Sequence, residues 1–308
     1  MPRHLLLLLL VSILTACATS PEGRKQLLAP APLQNFSSVY SEFDMRLQLV
    51  TAADAPACTE AECDADRAFD QRILLLGQRL AEAAYRQYPD LESRFPHFEF
   101  IVADKTDPGA ASSAAGTVVI YRGVRRLNLD DAALAFVLAR EMSQVIGSHH
   151  EENVTSSFLV SIAAQILLPV LNFARGAAAA VSSGAAATAA STAMSTTAMV
   201  SVASYAGARA LRASYRPEQL REAEIIGMKL MLAAGWDARE VRDQLQSLRP
   251  ALPDDPAWIE ELRESTQHIA SQPQDQFRKA SQILSGYAGL KVMTGGGWAN
   301  EISLLEAT

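Results

Sequence analysis

Between Asp130 and Gly147 the chain reads Asp130-Asp131-Ala132-Ala133-Leu134-Ala135-Phe136-Val137-Leu138-Ala139-Arg140-Glu141-Met142-Ser143-Gln144-Val145-Ile146-Gly147. Either aspartate can cap a helix, because a side-chain carboxylate satisfies the backbone N–H groups that a first turn leaves open. Leu134, Val137, Leu138 and Val145 then recur at helical spacing and form one apolar stripe. Gly147 is placed to end it. A helix of this kind needs partners for its apolar face, and the flanking segments supply candidates.

Upstream, Phe69, Ile73, Leu76, Leu80 and Ala84 repeat at helical spacing from Asp66, and that helix should stop near Pro89. Phe98-Glu99-Phe100-Ile101-Val102 reads as a strand, a loop of small residues runs through Gly116, and Thr117-Val118-Val119-Ile120-Tyr121 reads as a second strand. A β-hairpin or edge pair fits this order. Downstream, a helix should begin near Pro217 and continue to Ala234, with Gly235 as its stop. Pro250, Pro253 and Pro256 then lead into C-terminal helices that end near the turn at Gly295 to Gly297.

The segment from 154 to 213 is apolar from Phe158 to Leu171 and then almost entirely Ala, Ser, Thr, Gly, Met and Val. It can form two packed helices, a membrane-contacting hairpin or a membrane span. Pro169 and the many hydroxyls disfavour an independent span, so the expectation is a helical hairpin at the bilayer surface.

The chain has 308 residues, 49% of them hydrophobic, enough to bury a sizeable core. Its 27 basic and 34 acidic residues leave a net charge of -7 without any run rich in Lys or Arg, which argues against nucleic acid as a partner. At the start, Arg3 precedes an apolar run from Leu5 to Leu14, the pattern of a secretory signal too short to span a bilayer. Cys58 and Cys63 lie in a short acidic segment. In an exported protein they can form a local disulfide clasp or remain two thiols, and no second Cys or His pair stands near to favour zinc.

Leu14-Thr15-Ala16-Cys17 resembles the lipobox of bacterial lipoprotein precursors. That resemblance implies cleavage before Cys17, diacylation of its sulfur and a further acyl chain on the new amine, so that several chains anchor the protein stably. Ala18 follows, where an Asp would resemble an inner-membrane retention signal, so the expected location is the periplasmic face of the outer membrane.

The strand pair, the helices at 130 to 147 and 217 to 234, and the small-residue insert together resemble the HtpX/BepA/Oma-type zinc metallopeptidases, peptidase family forty-eight. The resemblance runs from about Arg24 to Arg278. Pro21-Glu22-Gly23-Arg24-Lys25-Gln26-Leu27 is similar to the segment after the lipobox in the family's bacterial lipoproteins. The family's His-Glu-x-x-His helix places two imidazoles one turn apart to hold zinc, with the glutamate as general base on metal-bound water. Here the matching residues are Arg140-Glu141-Met142-Ser143-Gln144. The base position is kept and both histidines are replaced.

Glu222-Ala223-Glu224, Gly227 and Ala234-Gly235-Trp236-Asp237 match the family's downstream block, which makes Glu222 the counterpart of the third metal ligand. The family's His-Pro with an Arg five residues after the Pro is matched by Gln272-Pro273 and Arg278. Arg140, Gln144 and Gln272 are thus three losses of imidazole within a legible framework. His149 and His150 lie roughly 13 to 15 Å beyond Arg140 along a continuous helix, pointing away from the Arg140/Gln144 face. They are expected to face solvent at a helix end unless the helix breaks.

The resemblance therefore implies an α+β, mainly helical, zincin-like metallopeptidase fold with a small β-sheet and a helical membrane-proximal insert. Its expected layout is a signal peptide over 1–16, a lipid-anchored tether leading into a partly helical approach over 17–64, the peptidase-like domain over 65–290 and a tail over 291–308. Thr117 to Tyr121 resembles the family's edge strand for extended substrate, which pairs through backbone groups and needs no metal. Neither Arg nor Gln is a zinc ligand, so no cofactor is expected, and zinc enters only if the ligands are unorthodox. The leading expectation is an inactive pseudopeptidase that binds extended or unfolded envelope polypeptide. An active zinc endopeptidase and a purely structural lipoprotein are the alternatives. In place of zinc, Arg140 is expected to face Glu222 and Glu141 with Gln144 beside them, the alternative being an Arg140 turned to solvent.

Overall fold

A computed structural model describes residues 17–28, 31–158, 216–247 and 257–271. The fold is α+β and mainly helical. Two compact units are distinguished among the described residues. One gathers the chain up to Gln48, Ser113–Ala115 and the chain from Gln144 to Glu222; the other gathers Leu49–Ser112, Gly116–Ser143 and the chain from Ala223 onward.

In the first unit, β1 (Cys17–Thr19) pairs antiparallel with β2 (Lys25–Leu27), so that Cys17 lies opposite Leu27. Gly23, at φ 84°, supplies the left-handed residue that this turn requires. Helix α1 (Ala31–Thr51) follows and turns Ser37, Ser41 and Met45 inward. The segment over 17–64, expected as a tether leading into a partly helical approach, contains a closed hairpin and a helix with a buried face.

In the second unit, α2 (Glu60–Gln87) starts where the Glu62 carboxylate accepts hydrogen bonds from the Thr59 backbone N–H at 2.9 Å and the Thr59 hydroxyl at 2.8 Å. A disulfide joins Cys58 and Cys63 across this first turn, with Cα atoms 5.3 Å apart. The helix buries Phe69, Ile73, Leu76, Leu80, Ala83 and Ala84 along one face. Gly77 sits on the same face against Phe100, where a Cβ would come within 2.6 Å of the ring. That close approach lets α2 lie on the sheet. The chain then passes through the one-turn helix α3 (Leu91–Arg94).

Strands β3 (Glu99–Ala103), β4 (Ala110–Ser112) and β5 (Thr117–Tyr121) form a sheet in the order β3-β5-β4. β3 runs parallel to β5, pairing Glu99 with Thr117, and β4 runs antiparallel to β5, pairing Ala110 with Ile120. Two expectations are corrected here. β3 and β5 are not a hairpin, because the connection between them carries β4, which reverses the chain and takes one side of β5. Thr117 to Tyr121 is not an edge strand, because both of its sides are paired. Val118, Val119 and Ile120 are fully buried, and such an unbroken apolar run belongs to a strand covered on both faces.

A 3-10 turn (Arg122–Leu127) leads to α4 (Asp131–Ile146), where the Asp130 carboxylate accepts from the Ala133 N–H at 2.8 Å. Residues 132–140 are all buried, so α4 is central rather than amphipathic. Residues 149–158 and 216–233 are helical. The latter ends at Gly235, φ 89°, with Trp236 N–H bonded to the Met231 carbonyl at 3.0 Å. α5 (Ala238–Gln246) and α6 (Ala257–Ser271) complete the described chain. The expected insert lies outside the described residues from 159 onward, as do the signal segment 1–16 and the tail. Among the described residues no helix is long and apolar enough to cross a membrane.

Gly123 lies where a Cβ would stand 2.3 Å from the Thr106 carbonyl oxygen and 2.5 Å from Asp107 backbone atoms. These are backbone groups and cannot swing aside. Gly123→Ala is expected to destabilise the protein by about 1–3 kcal/mol, measured as a lowered urea midpoint at unchanged slope.

Candidate functional site

The helix that carries the matching motif does not continue past Ile146. Gly147 has no Cβ, and one there would come within 2.6 Å of the His149 ring. Ser148 then adopts φ 56°, a left-handed residue that ends the helix, and the next helix starts with the Glu152 N–H bonded to the Ser148 carbonyl at 3.0 Å. This break folds His149 back. Its Nδ1 lies 2.7 Å from Gln144 Oε1 and its Nε2 lies 2.9 Å from Glu222 Oε2. The expectation of a solvent-facing His149 is corrected, for it is fully buried. Because a carboxylate only accepts, Nε2 carries the hydrogen given to Glu222, while the Gln144 amide donates or accepts at Nδ1 as its orientation requires.

The cation beside Glu222 is Arg24. From the β1–β2 hairpin, its Nε donates to Glu222 Oε2 at 2.8 Å, and its two terminal nitrogens grip Glu152 at 2.9 and 2.7 Å. Both carboxylates are almost completely buried. Gln219 adds a hydrogen bond to Glu152 at 2.9 Å, and the Ser20 hydroxyl accepts from the Arg24 N–H at 3.0 Å. All of these residues belong to the first unit. Burial alone would favour a neutral Glu222, but hydrogen bonds from His149, Ser20 and Arg24 and the charge of His149 outweigh it and hold the carboxyl down at about 2. Burial likewise acts against the Arg24 charge, and the hydrogen bonds and charges of Glu152 and Glu222 more than reverse it.

In the second unit, Arg140 is buried and donates to Glu261 of α6 at 3.3 Å. The expected pairing of Arg140 with Glu222 is corrected: an arginine far away in sequence, Arg24, neutralises Glu222, and Arg140 is directed to another helix. Gly227 makes room for this region, since a Cβ there would lie 3.3 Å from the Arg140 backbone nitrogen. Glu141 accepts from the Ser112 hydroxyl of β4 at 3.2 Å. The Tyr121 hydroxyl is pushed up by burial and, secondarily, by the Glu141 charge. Glu224, two residues after Glu222, meets His268 Nδ1 at 3.1 Å. Gln272 and Arg278 lie outside the described residues, and of Cys17 only its backbone place in β1 is described.

These donors do not fit zinc. Arg140 has no lone pair and is permanently charged, Gln144 is engaged with His149, and the Nε2 hydrogen of His149 is committed to Glu222. Among the described residues no group of three or more His, Cys, Asp or Glu side chains is placed to hold a metal ion. In the sequence Arg24 stands out only as one residue of the Pro21-Glu22-Gly23-Arg24 segment. The break that brings in His149 had a signal in Gly147-Ser148, but Glu152, Gln219, Glu261 and His268 carried none.

A protein-family comparison adds a finding independent of this geometry. The model described as Peptidase family M48 matches residues 74–274, which is well over half of the chain. No curated protein matches it.

Removing the guanidinium would leave two buried carboxylates facing each other. Arg24→Ala is expected to cost about 3–5 kcal/mol, with a smaller loss for Arg24→Lys, which keeps the charge but not the fork. Equilibrium unfolding in urea reads both, and a loss below about 0.5 kcal/mol, the size for an exposed position, would contradict the network.

The pH dependence follows from Glu222. Its folded value near 2 lies below the ordinary 4.5, so its stabilisation is complete above pH 4.5 and is lost as the pH falls toward 2. The contribution is about 3 kcal/mol. Glu222→Gln should remove that part of the acid sensitivity in unfolding curves taken across this window.

Proposed function

The chain belongs to peptidase family M48, and from that membership we propose that it is a lipid-anchored periplasmic pseudopeptidase, one that keeps the fold to bind extended polypeptide without zinc-dependent hydrolysis. The observation that carries this reading is the replacement chemistry around the motif. Arg140 and Gln144 stand at the two imidazole positions, and the carboxylate of Glu222 is already paired with Arg24 and hydrogen-bonded to His149. Hydrolysis of a peptide bond by the family's route needs a metal to polarise the carbonyl and to generate hydroxide near neutral pH. Glu141 alone, hydrogen-bonded to Ser112, supplies neither.

Binding draws on different groups. A sheet edge recognises an extended chain through backbone N–H and C=O groups, independently of metal. With β5 in the middle of the sheet, the strand to consider is β4, whose Ser112 hydrogen-bonds the retained Glu141. The anchoring part of the reading rests on Leu14-Thr15-Ala16-Cys17, and the outer-membrane location on Ala18. Work in envelope protein assembly or quality control suits a tethered binder of unfolded chains.

Three measurements on the purified mature protein test this together: metal content, cleavage of casein or of unfolded outer-membrane protein with and without a chelator, and binding of extended peptides by fluorescence anisotropy. The expected result is zinc far below stoichiometric, no chelator-sensitive cleavage, and saturable peptide binding. Stoichiometric zinc with chelator-sensitive cleavage would make it an active endopeptidase. Absence of both cleavage and peptide binding would leave a structural lipoprotein.

A further inference from the structure

Helix α1 buries the face that a core would least want. Its inward residues are Ser37, Ser41 and Met45, whereas Val39, Tyr40, Phe43, Leu47 and Val50 are 70%, 42%, 63%, 50% and 80% exposed. At about 100° per residue these five fall within one arc roughly 100° wide. No described polar side chain interrupts it. On one flank Arg46 pairs with Glu42 at 3.0 Å, and on the other Gln48 donates to Asp44 at 3.2 Å. The result is a helix whose flanking charged residues Glu42, Arg46 and Asp44 are locally matched and whose apolar row faces outward. A contiguous exposed apolar row marks an interaction surface.

We propose that this face of α1 lies on the surface of the lipid bilayer that carries Cys17, an inference that rests on the lipoprotein reading above. The hairpin dictates the proximity. Cys17 is paired with Leu27 across β1–β2, and α1 begins at Ala31. Four residues span at most about 14 Å, so the helix starts beside the point of acylation. Its 21 residues extend about 31 Å, and it is not apolar enough to cross a membrane. A helix with one apolar side, matched polar flanks and interfacial aromatics such as Tyr40 and Phe43 settles in the interface plane. A protein partner fits less well. Stable protein interfaces take about 20–30 residues a side, against one row on a single helix.

The acyl chains and the helix would then act together. Lipid on Cys17 holds the chain near the membrane, and insertion of the α1 row fixes which side of the hairpin faces the bilayer.

The test uses the mature, acylated protein in vesicles of phosphatidylethanolamine and phosphatidylglycerol. Phe43→Trp places a fluorophore in the row, and the wild type supplies the background of the native tryptophans. With phospholipids brominated about 5–10 Å below the headgroup boundary, the added fluorescence is expected to shift to the blue and to be quenched. Val39→Trp repeats the measurement should Phe43→Trp fail to fold. Mass spectrometry of the mature N-terminus is run on the same material. Unquenched, red-shifted fluorescence on a protein whose Cys17 carries its acyl chains overturns the docking and leaves the lipoprotein reading standing. An unmodified Cys17 in a protein that does not associate with membranes overturns the lipoprotein reading and the docking with it. A blue shift without vesicles, accompanied by a dimer in light scattering, overturns the docking in favour of a second copy of the chain on this face.

Discussion

Two buried carboxylates, Glu152 and Glu222, share one guanidinium, and the organisation of the first unit depends on that arrangement. Removing either carboxylate from water is costly unless charge and hydrogen bonds are returned to it. Arg24 returns both at once, with Nε to Glu222 and its two terminal nitrogens to Glu152. A lysine could not serve both carboxylates with the same geometry. Since Arg24 lies at the turn end of β2, this ion pairing also locks the hairpin that begins at Cys17 to the helices over 149–158 and 216–222. The segment that follows Cys17 is thus held by a buried contact of one guanidinium with two carboxylates.

The same network explains how a motif built for metal persists without imidazoles at its ligand positions. In the family's pattern a zinc ion draws several groups together and neutralises a glutamate. Here the Arg24 guanidinium pairs with Glu222 and hydrogen bonds join it to His149 and Gln144. Gln144, at the second histidine position, meets the ring of His149, and His149 passes its other nitrogen to Glu222. This requires the chain to turn sharply after Ile146, which Gly147 permits by leaving room for the imidazole and Ser148 achieves through its left-handed backbone. Gln144 and the helix break therefore belong to one arrangement. Arg140, at the first histidine position, is accommodated separately, by Glu261.

Retention of Glu141 acquires a physical account from its neighbours. Its carboxylate accepts from the Ser112 hydroxyl at the end of β4, which links the motif helix to the side of the sheet opposite β3. In the pseudopeptidase proposed above, loss of hydrolysis would leave the backbone of the sheet intact, and peptide recognition by strand addition depends on the backbone. The exposed row on α1 adds a second surface, distinct in chemistry, whose side chains rather than backbone groups meet the environment.

Local pattern alone determined a good deal of this molecule. The helix spacing of Phe69, Ile73, Leu76, Leu80 and Ala84, the cap at Asp130, the stop at Gly235 and the family resemblance carried by Glu141, Glu222 and Gly227 were all legible, because each depends on residues a turn or two apart. The order of the strands was not. Val118-Val119-Ile120 hinted at a strand buried on both faces, but which partners lie beside it depends on where the intervening loop reverses. Nor could sequence choose between Arg140 and Arg24 as the cation for Glu222, or decide that Ser37 and Ser41 rather than Val39 and Phe43 turn inward. Those outcomes depend on which distant helices meet, since a buried charge selects its partner by proximity and desolvation in the folded chain, and spacing along the chain contains neither.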